Sequence, residues 1–173
     1  MKLFIADLKK IIKSPESFLA LKNTLNPNDQ SRFDCFSNQR RAIQFLASRI
    51  LIKNHISSEY QTLESGKIVI KNGFVSVAHT QNFIVVSFDD APVGVDIEKI
   101  TSRRDYKRIA KRMKFKNVNT PYDFFKSWTT FEADFKLGAT SKRKTHLFVD
   151  HQGFLICVSS LGQKPLEIEF VKI

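Results

Sequence analysis

The sequence predicts an α+β fold, because patterns typical of strands and of helices occur in the same chain. In residues 93–98, aliphatic side chains alternate with Gly94, Asp96 and Glu98, as on a strand with one apolar face. Residues 120–138 instead have helical spacing between a Thr-Pro start and a glycine stop. With 173 residues, the chain can bury a core as one domain or as two closely packed lobes.

The N-terminal part predicts one short strand followed by helical segments. Residues 2–6 are strand-like, residues 15–25 have weak helical spacing, and residues 26–29 (Asn-Pro-Asn-Asp) predict a turn. Ser37 fits the N-cap of a helix that runs to about Lys53. Its buried face would hold Ala42, Ile43, Leu46 and Ile50, and its polar side Arg40, Arg41 and Arg49. These arginines are either solvated or available to an anion.

Residues 74–98 predict two strands and a turn that end in a pair of acids. On one strand Asp96 and Glu98 would lie roughly 7 Å apart, where two like charges repel each other unless a cation lies between them. Mg²⁺ is the simplest candidate because it prefers oxygen ligands. The alternative is that both acids face water at a strand end. The preceding polar segment, 64–73, predicts a loop around a short strand at 68–70.

Residues 103–116 are the most basic stretch, with eight Lys or Arg residues and one acid, Asp105. Tyr106, Ile109, Ala110 and Met113 recur at helical spacing, which predicts an amphipathic helix with a cationic outer face. Such a face is often only solvated. The near absence of acids favours an anionic partner.

The helix predicted for residues 120–138 carries a carboxylate beside its apolar stripe of Phe124, Trp128, Phe131 and Phe135. On a helical wheel Glu132 falls between Trp128 and Phe125, and Lys136 lies one turn further along. Glu132 and Lys136 could form an ordinary i, i+4 pair. Alternatively, Glu132 could share a metal with Asp96 and Glu98, since a buried carboxylate needs a partner. From His146 onward, turns at 150–153 and 162–165 predict two or three antiparallel strands.

The formal net charge of +11 indicates a polyanionic partner, which could be nucleic acid, an acidic membrane, a phosphorylated cofactor or an acidic protein. Cys35 and Cys157 match no metal-ligand or redox spacing, which favours a reducing compartment. No segment predicts a signal peptide or a spanning helix. We therefore expect a soluble, cytoplasmic protein that does not bind membranes.

Three segments of the sequence match the motifs of one known protein family in order and spacing. They are GKI…SVAHT (Gly66, Lys67 and residues 76–80), PVGVDIE (92–98) and WTTFEADFK (128–136). Together they resemble the signature motifs of 4′-phosphopantetheinyl transferases of the surfactin-synthetase-activating (Sfp) type. Residues 40–53 are similar to the family's arginine-bearing helix. Phe131 and Ala78 stand where the family usually has lysine and serine, and the stretch after Lys136 is shorter than in typical members.

The resemblance implies an enzyme that transfers the phosphopantetheine arm of coenzyme A to a serine of an acyl or peptidyl carrier protein, releasing 3′,5′-ADP. The implied Mg²⁺ ligands are Asp96, Glu98 and Glu132, and the implied catalytic residues are Asp96, Glu132 and Lys136. Glu132 would deprotonate the carrier serine, directly or through a water molecule, and Lys136 would protonate or neutralise the leaving phosphate. The implied contacts to coenzyme A are Arg41, Lys67, His79, Thr80 and Lys136. By itself, His79 could equally be an ordinary strand-end histidine.

The resemblance also implies an architecture and a partner. It implies two pseudo-repeated lobes, each a small antiparallel sheet packed on a long helix, with the active site between them. Residues 1–92 would form the N-terminal lobe and residues 93–173 a shortened C-terminal lobe of one compact monomer. The basic segment 103–116 would contact the acidic carrier protein. Two alternatives remain, a non-catalytic homologue that binds coenzyme A or a carrier, and a basic nucleic-acid-binding module.

Overall fold

The computed structural model describes residues 1–102, 105–138 and 144–173, and it confirms an α+β fold. The helices are α1 (Lys9–Lys13), α2 (Glu16–Leu19), α3 (Pro27–Asp34), α4 (Gln39–His55), α5 (Tyr106–Met113) and α6 (Pro121–Leu137), with a 3₁₀ helix at Ala20–Thr24. The strands are β1 (Lys2–Asp7), β2 (Tyr60–Thr62), β3 (Ile68–Ile70), β4 (Phe74–Thr80), β5 (Phe83–Asp89), β6 (Val93–Lys99), β7 (Thr145–His151), β8 (Phe154–Ser160) and β9 (Glu167–Phe170).

The strands form two larger sheets and a hairpin. The first sheet has the order β4-β5-β1-β9, the second has the order β6-β8-β7, and β2 pairs with β3 in a separate hairpin. All pairings are antiparallel except that of β9 with β1, which is parallel. The C-terminal strand therefore completes the sheet that the N-terminal strand begins.

The two sheets pack face to face, and each has a long helix on its outer side. Alternate residues of β1 separate the two faces of the first sheet. Phe4 packs with Ile43 and Leu46 of α4, whereas Leu3 and Ile5 pack with the second sheet through Val93, Val95, Ile97, Ile156 and Val158. On the outer face of the second sheet, Leu155 packs with Phe124 and Phe125 of α6. The resulting order of layers is α4, first sheet, second sheet, α6.

Three predicted boundaries are wrong, and local chemistry explains each. Residues 74–98 form three strands rather than two, because a two-residue turn with Gln81 in the left-handed region (φ 48°) separates β4 from β5. Residues 26–29 start α3 instead of forming a turn, since Asn26 Oδ1 accepts a hydrogen bond from Asp29 N at 2.9 Å. Asn38 rather than Ser37 caps α4, and its Oδ1 accepts from Arg41 N at 3.1 Å. The predicted short strand at 68–70 is confirmed as β3.

The predicted ends of α6 are confirmed. Thr120 and Asp123 form a capping box, Pro121 is the first helical residue, and Gly138 ends the helix with φ 67°. The predicted apolar stripe is wrong in part, because Phe131 and Phe135 are exposed. The fully packed face runs instead along Phe125, Thr129, Ala133 and Leu137. Within the described ranges, no helix is both long and apolar enough to cross a membrane.

Candidate functional site

Strand β6 has the two faces that its sequence predicts. Val93, Val95 and Ile97 are buried between the sheets, whereas Gly94 lies against α6. A Cβ atom at Gly94 would lie 2.6 Å from Leu137 N and still closer to Ala133 O. Only glycine therefore allows the backbone of α6 to approach β6 this closely.

This approach brings Lys136 of α6 to Asp96 of β6. Lys136 Nζ donates to Asp96 Oδ1 at 2.8 Å and to Val95 O at 3.1 Å. Asp96 is buried, and its second oxygen, Oδ2, has no hydrogen-bond partner among the described residues. A buried carboxylate oxygen without a partner is costly, so Asp96 fits a ligand that supplies a cation. Two of the predicted catalytic residues are thus in direct contact.

His79 of β4 lies within electrostatic reach of this pair. Its pKa is lowered, first by desolvation and then by the positive charges of Lys136 and Arg41, while Asp96 acts in the opposite direction. His79 is exposed near the end of β4. Three predicted site residues, Lys136, Arg41 and Asp96, therefore act on a fourth, His79.

Strands β4 and β6 are edge strands of the two facing sheets, and they carry His79 and Asp96, respectively. Ser76 Oγ of β4 accepts a hydrogen bond from Val95 N at 3.0 Å. Gln44, almost one turn after Arg41 on α4, donates through Nε2 to Gln81 O at 2.8 Å. This bond ties the start of α4 to the end of β4, next to His79 and the half-buried Thr80.

A cleft of about 450 Å³ lies beside the Asp96–Lys136 pair. It is lined by Lys67 from the turn between β2 and β3, by Lys136 and Phe135 from α6, and by Ser76. Arg49 of α4 lines the same cleft. The ammonium groups of Lys67 and Lys136 therefore border one cavity, which suits a ligand with phosphates, whereas the guanidinium of Arg49 is paired with buried Asp29.

Glu98 and Glu132 are half-buried on β6 and α6, the same two elements that carry Asp96 and Lys136. Among the described residues, Asp96, Glu98 and Glu132 do not form a compact three-ligand cluster. A Mg²⁺ site does not require one, because this ion commonly uses one or two carboxylates together with water and substrate phosphates. Asp96 is the residue that best fits such an ion, and the three-ligand set stays a prediction.

Two residues of the cleft were not recognised correctly from the sequence. Arg49 was predicted on the polar side of its helix, but it is only 6% exposed and lies 3.5 Å from Asp29. Phe135 was predicted in the core, but it is 76% exposed and lines the cleft. For the first, no sequence signal singled out Asp29, because Asp34 lies nearer to α4. For the second, the charged residues that flank Phe135, Asp134 and Lys136, did not indicate its exposure.

The amphipathic character predicted for residues 103–116 is confirmed where the structure describes them. Helix α5 buries Ala110 and exposes Lys107, Arg108, Lys111 and Arg112. Its N-cap is Asp105, which also pairs with Arg108 at 3.0 Å. Residues 103 and 104 of the predicted segment lie outside the described residues.

A second polar cluster on α6 is structural. Asp134 accepts from His146 Nε2 at 2.9 Å and lies 3.3 Å from Lys144 Nζ, which joins α6 to the start of β7. Burial acts to raise the pKa of Asp134, but the bond to His146 and the contact with Lys144 outweigh it and hold the pKa below its usual range. Burial also raises the pKa of the nearby Cys157 thiol to about 11, which disfavours a reactive thiolate.

A scan against models of known protein families gives no match, and no curated protein matches the chain in sequence.

Proposed function

We propose that the protein transfers the 4′-phosphopantetheine arm of coenzyme A to a serine of an acyl or peptidyl carrier protein in a Mg²⁺-dependent reaction that releases 3′,5′-ADP. The observation that supports this most strongly is the contact of Lys136 with Asp96 at 2.8 Å. These residues come from two of the three motifs that carry the resemblance, and they lie 40 positions apart. His79, from the third motif, is influenced by both charges.

We propose further that the chain consists of two pseudo-repeated lobes, residues 1–92 and 93–173, with the active site between them. In support, each larger sheet carries a helix of 17 residues on its outer side, α4 on the first and α6 on the second. Strand β9 crosses from the second lobe to the first sheet. It would thereby hold the lobes together.

In the proposed site, Asp96, Glu98 and Glu132 hold the magnesium ion. The ion would supply charge neutralisation at the pyrophosphate of coenzyme A. Support comes from the buried oxygen of Asp96 that lacks a partner and from the alternation that directs Asp96 and Glu98 to one face of β6.

The remaining residues bind the phosphates and move the proton. Arg41, Lys67, His79 and Thr80 would hold the phosphates of coenzyme A. Glu132 would accept the proton of the carrier serine, and Lys136 would neutralise or protonate the leaving phosphate. Lys136 Nζ already lies beside a carboxylate at the edge of the cleft, so a phosphate oxygen there would meet a fixed positive charge.

The proposed partner is an acidic carrier protein that contacts the exposed basic face of α5. This face has four exposed cations and, at its start, one acid. Opposite charge on the two partners would accelerate their encounter. We propose that the enzyme acts in the cytoplasm as a monomer.

The test is a carrier-loading assay. The protein is incubated with coenzyme A, Mg²⁺ and each of several apo carrier proteins, and the carriers are weighed by mass spectrometry. A phosphopantetheine adduct on the carrier serine is the expected result. Loading of no carrier would contradict the proposal, and tight coenzyme A binding without loading would indicate the non-catalytic alternative.

A further inference from the structure

The hairpin that carries Lys67 is separate from both larger sheets. Among the strands of the described residues, β2 and β3 pair only with each other, over three residues each. In their connection Leu63 N donates to Lys67 O at 2.9 Å, and Gly66 adopts φ 85° just before Lys67. An isolated two-stranded hairpin is marginally stable, so side-chain contacts must hold it in place.

Three polar side chains of α3 and α4 reach this hairpin. Asn28 Nδ2 donates to Thr62 O at 3.0 Å, and Arg32 Nη2 donates to Leu63 O at 2.6 Å. Arg49 Nη2 donates to Thr62 Oγ1 at 3.3 Å. Two of these bonds end on the backbone of residues 62–63, at the start of the turn that bears Lys67.

The most buried of these contacts depends on an ion pair in the interior. Arg49 Nε lies 3.5 Å from Asp29 Oδ2, and the two side chains are 6% and 0% exposed. The guanidinium also lies 4.1 Å above the ring of Phe45 and donates to Ser48 Oγ at 2.9 Å. Removing one member of a buried pair leaves the other charge uncompensated, so both are needed to keep this geometry.

Tyr60 of β2 belongs to the same environment. Its pKa is raised, first by burial and then by the negative charge of Asp29. Hydrogen bonding to the Asp29 carboxylate raises the pKa of Tyr60 further. The pKa of Arg49 is lowered by burial, and Asp29 opposes this.

We infer that the Asp29–Arg49 pair positions the β2–β3 hairpin so that Lys67 lines the same cleft as Lys136, and thereby sets the affinity for the phosphates of coenzyme A. This inference rests on the proposed function. Asp29 and Arg49 are positioning residues in it, because they act through Thr62, Tyr60 and the turn that bears Lys67. Arg49 and Lys67 line the same cavity, so a displaced hairpin would change that cavity directly.

The first test measures hydrogen exchange of the whole protein, for wild type, Arg49→Met and Thr62→Val. Arg49→Met removes the charge of Arg49. Thr62→Val removes only the hydroxyl acceptor that Arg49 uses, so this variant tests the same contact if Arg49→Met does not fold. We expect the amides of Tyr60–Thr62 and Ile68–Ile70 to exchange at least about tenfold faster in both variants, with β8 unchanged. Arg40→Met, which removes an exposed cation from the same helix, is the control. Unchanged hairpin exchange, or a uniform increase over the whole chain, would overturn the inference.

The second test separates binding from turnover. For Arg49→Met we expect KM for coenzyme A to rise about tenfold with kcat within about twofold of wild type. Arg49→Lys, which keeps the charge but not the planar fork, should restore part of the affinity. A fall in kcat with KM unchanged would overturn the inference. The hydrogen-exchange test requires neither coenzyme A nor turnover. If wild-type protein fails to load carriers, the proposed function is refuted. The exchange rates of the hairpin amides still test whether the Asp29–Arg49 pair positions the hairpin.

Discussion

Lys136 Nζ lies 2.8 Å from Asp96 Oδ1 and 3.1 Å from Val95 O, so one side chain of α6 binds both the side chain and the backbone of β6. Asp96 is nearly buried and Lys136 is partly exposed, with side-chain exposures of 11% and 30%. The bond therefore lies at the border between core and cleft. There it stabilises the packing of α6 on β6 and fixes a positive charge at the cleft.

Replacing Lys136 should destabilise the protein and also slow the proposed carrier-loading reaction. In Lys136→Met the buried carboxylate of Asp96 loses its cation, which should lower the free energy of unfolding by about 1–3 kcal/mol. Denaturant unfolding measures this loss. If Asp96 is a magnesium ligand, added Mg²⁺ should restore more stability to the variant than it adds to wild type. A variant as stable as wild type, with no response to Mg²⁺, would contradict this account of the pair.

Gly94 should be intolerant of any side chain. In Gly94→Ala the new methyl group would meet the backbone of α6 at Ala133 and Leu137, and backbone cannot move aside cheaply. We expect a loss of about 2–4 kcal/mol in the free energy of unfolding. Gly153→Ala is the control, because Gly153 has φ 78° but open space around it, and it should cost only about 1 kcal/mol. Equal costs at the two glycines would show that α6 does not lie this close to β6.

His79 should make the free energy of unfolding fall as the pH is lowered. Its pKa is lowered in the folded protein, by desolvation and by Lys136 and Arg41, so the unfolded chain binds the proton more readily. Stability contributed by neutral His79 is therefore present above the unfolded pKa of about 6.5 and is lost as the pH falls below it. His79→Gln should flatten the fall in unfolding free energy between about pH 7 and pH 5. An identical slope in wild type and variant would rule out a lowered pKa.

Alanine substitutions of Phe125 and Phe135 should have contrasting consequences for the stability of the protein. Phe135 is 76% exposed, so Phe135→Ala should change the unfolding free energy by less than about 0.5 kcal/mol. Because Phe135 lines the cleft with Lys67 and Lys136, the same variant should weaken coenzyme A binding by about tenfold. Phe125 is 0% exposed, and Phe125→Ala should cost about 3–5 kcal/mol. Calorimetric titration and denaturant unfolding distinguish these outcomes. A large stability loss for Phe135→Ala would instead support the buried apolar stripe of α6 that the sequence predicts.

Features set by neighbouring residues could be predicted from the sequence. The alternation in β6 separates the buried Val95 from Asp96, and the capping residues of α6 define its two ends. Both depend on spacing within one element. The contact of Lys136 with Asp96 was not among these predictions, because it depends on how α6 crosses β6.

Features set by long-range packing could not be predicted. The burial of Arg49 depends on Asp29, which lies on another helix, and the parallel pairing of β9 depends on the free edge of β1. Phe135 has the spacing of a core residue, but the close approach at Gly94 turns a different face of α6 towards β6. The sequence pattern of a single helix does not contain this information.

The most direct test of the central claim is carrier loading by Asp96→Asn. This change keeps the size of the side chain but removes the charge that pairs with Lys136 and that would bind Mg²⁺. Asp34→Asn, at an exposed acid on α3, is the matched control. The account predicts that wild type and Asp34→Asn load an apo carrier with phosphopantetheine, and that Asp96→Asn is slower by at least about 100-fold at saturating coenzyme A. Loading by Asp96→Asn at the wild-type rate would contradict it.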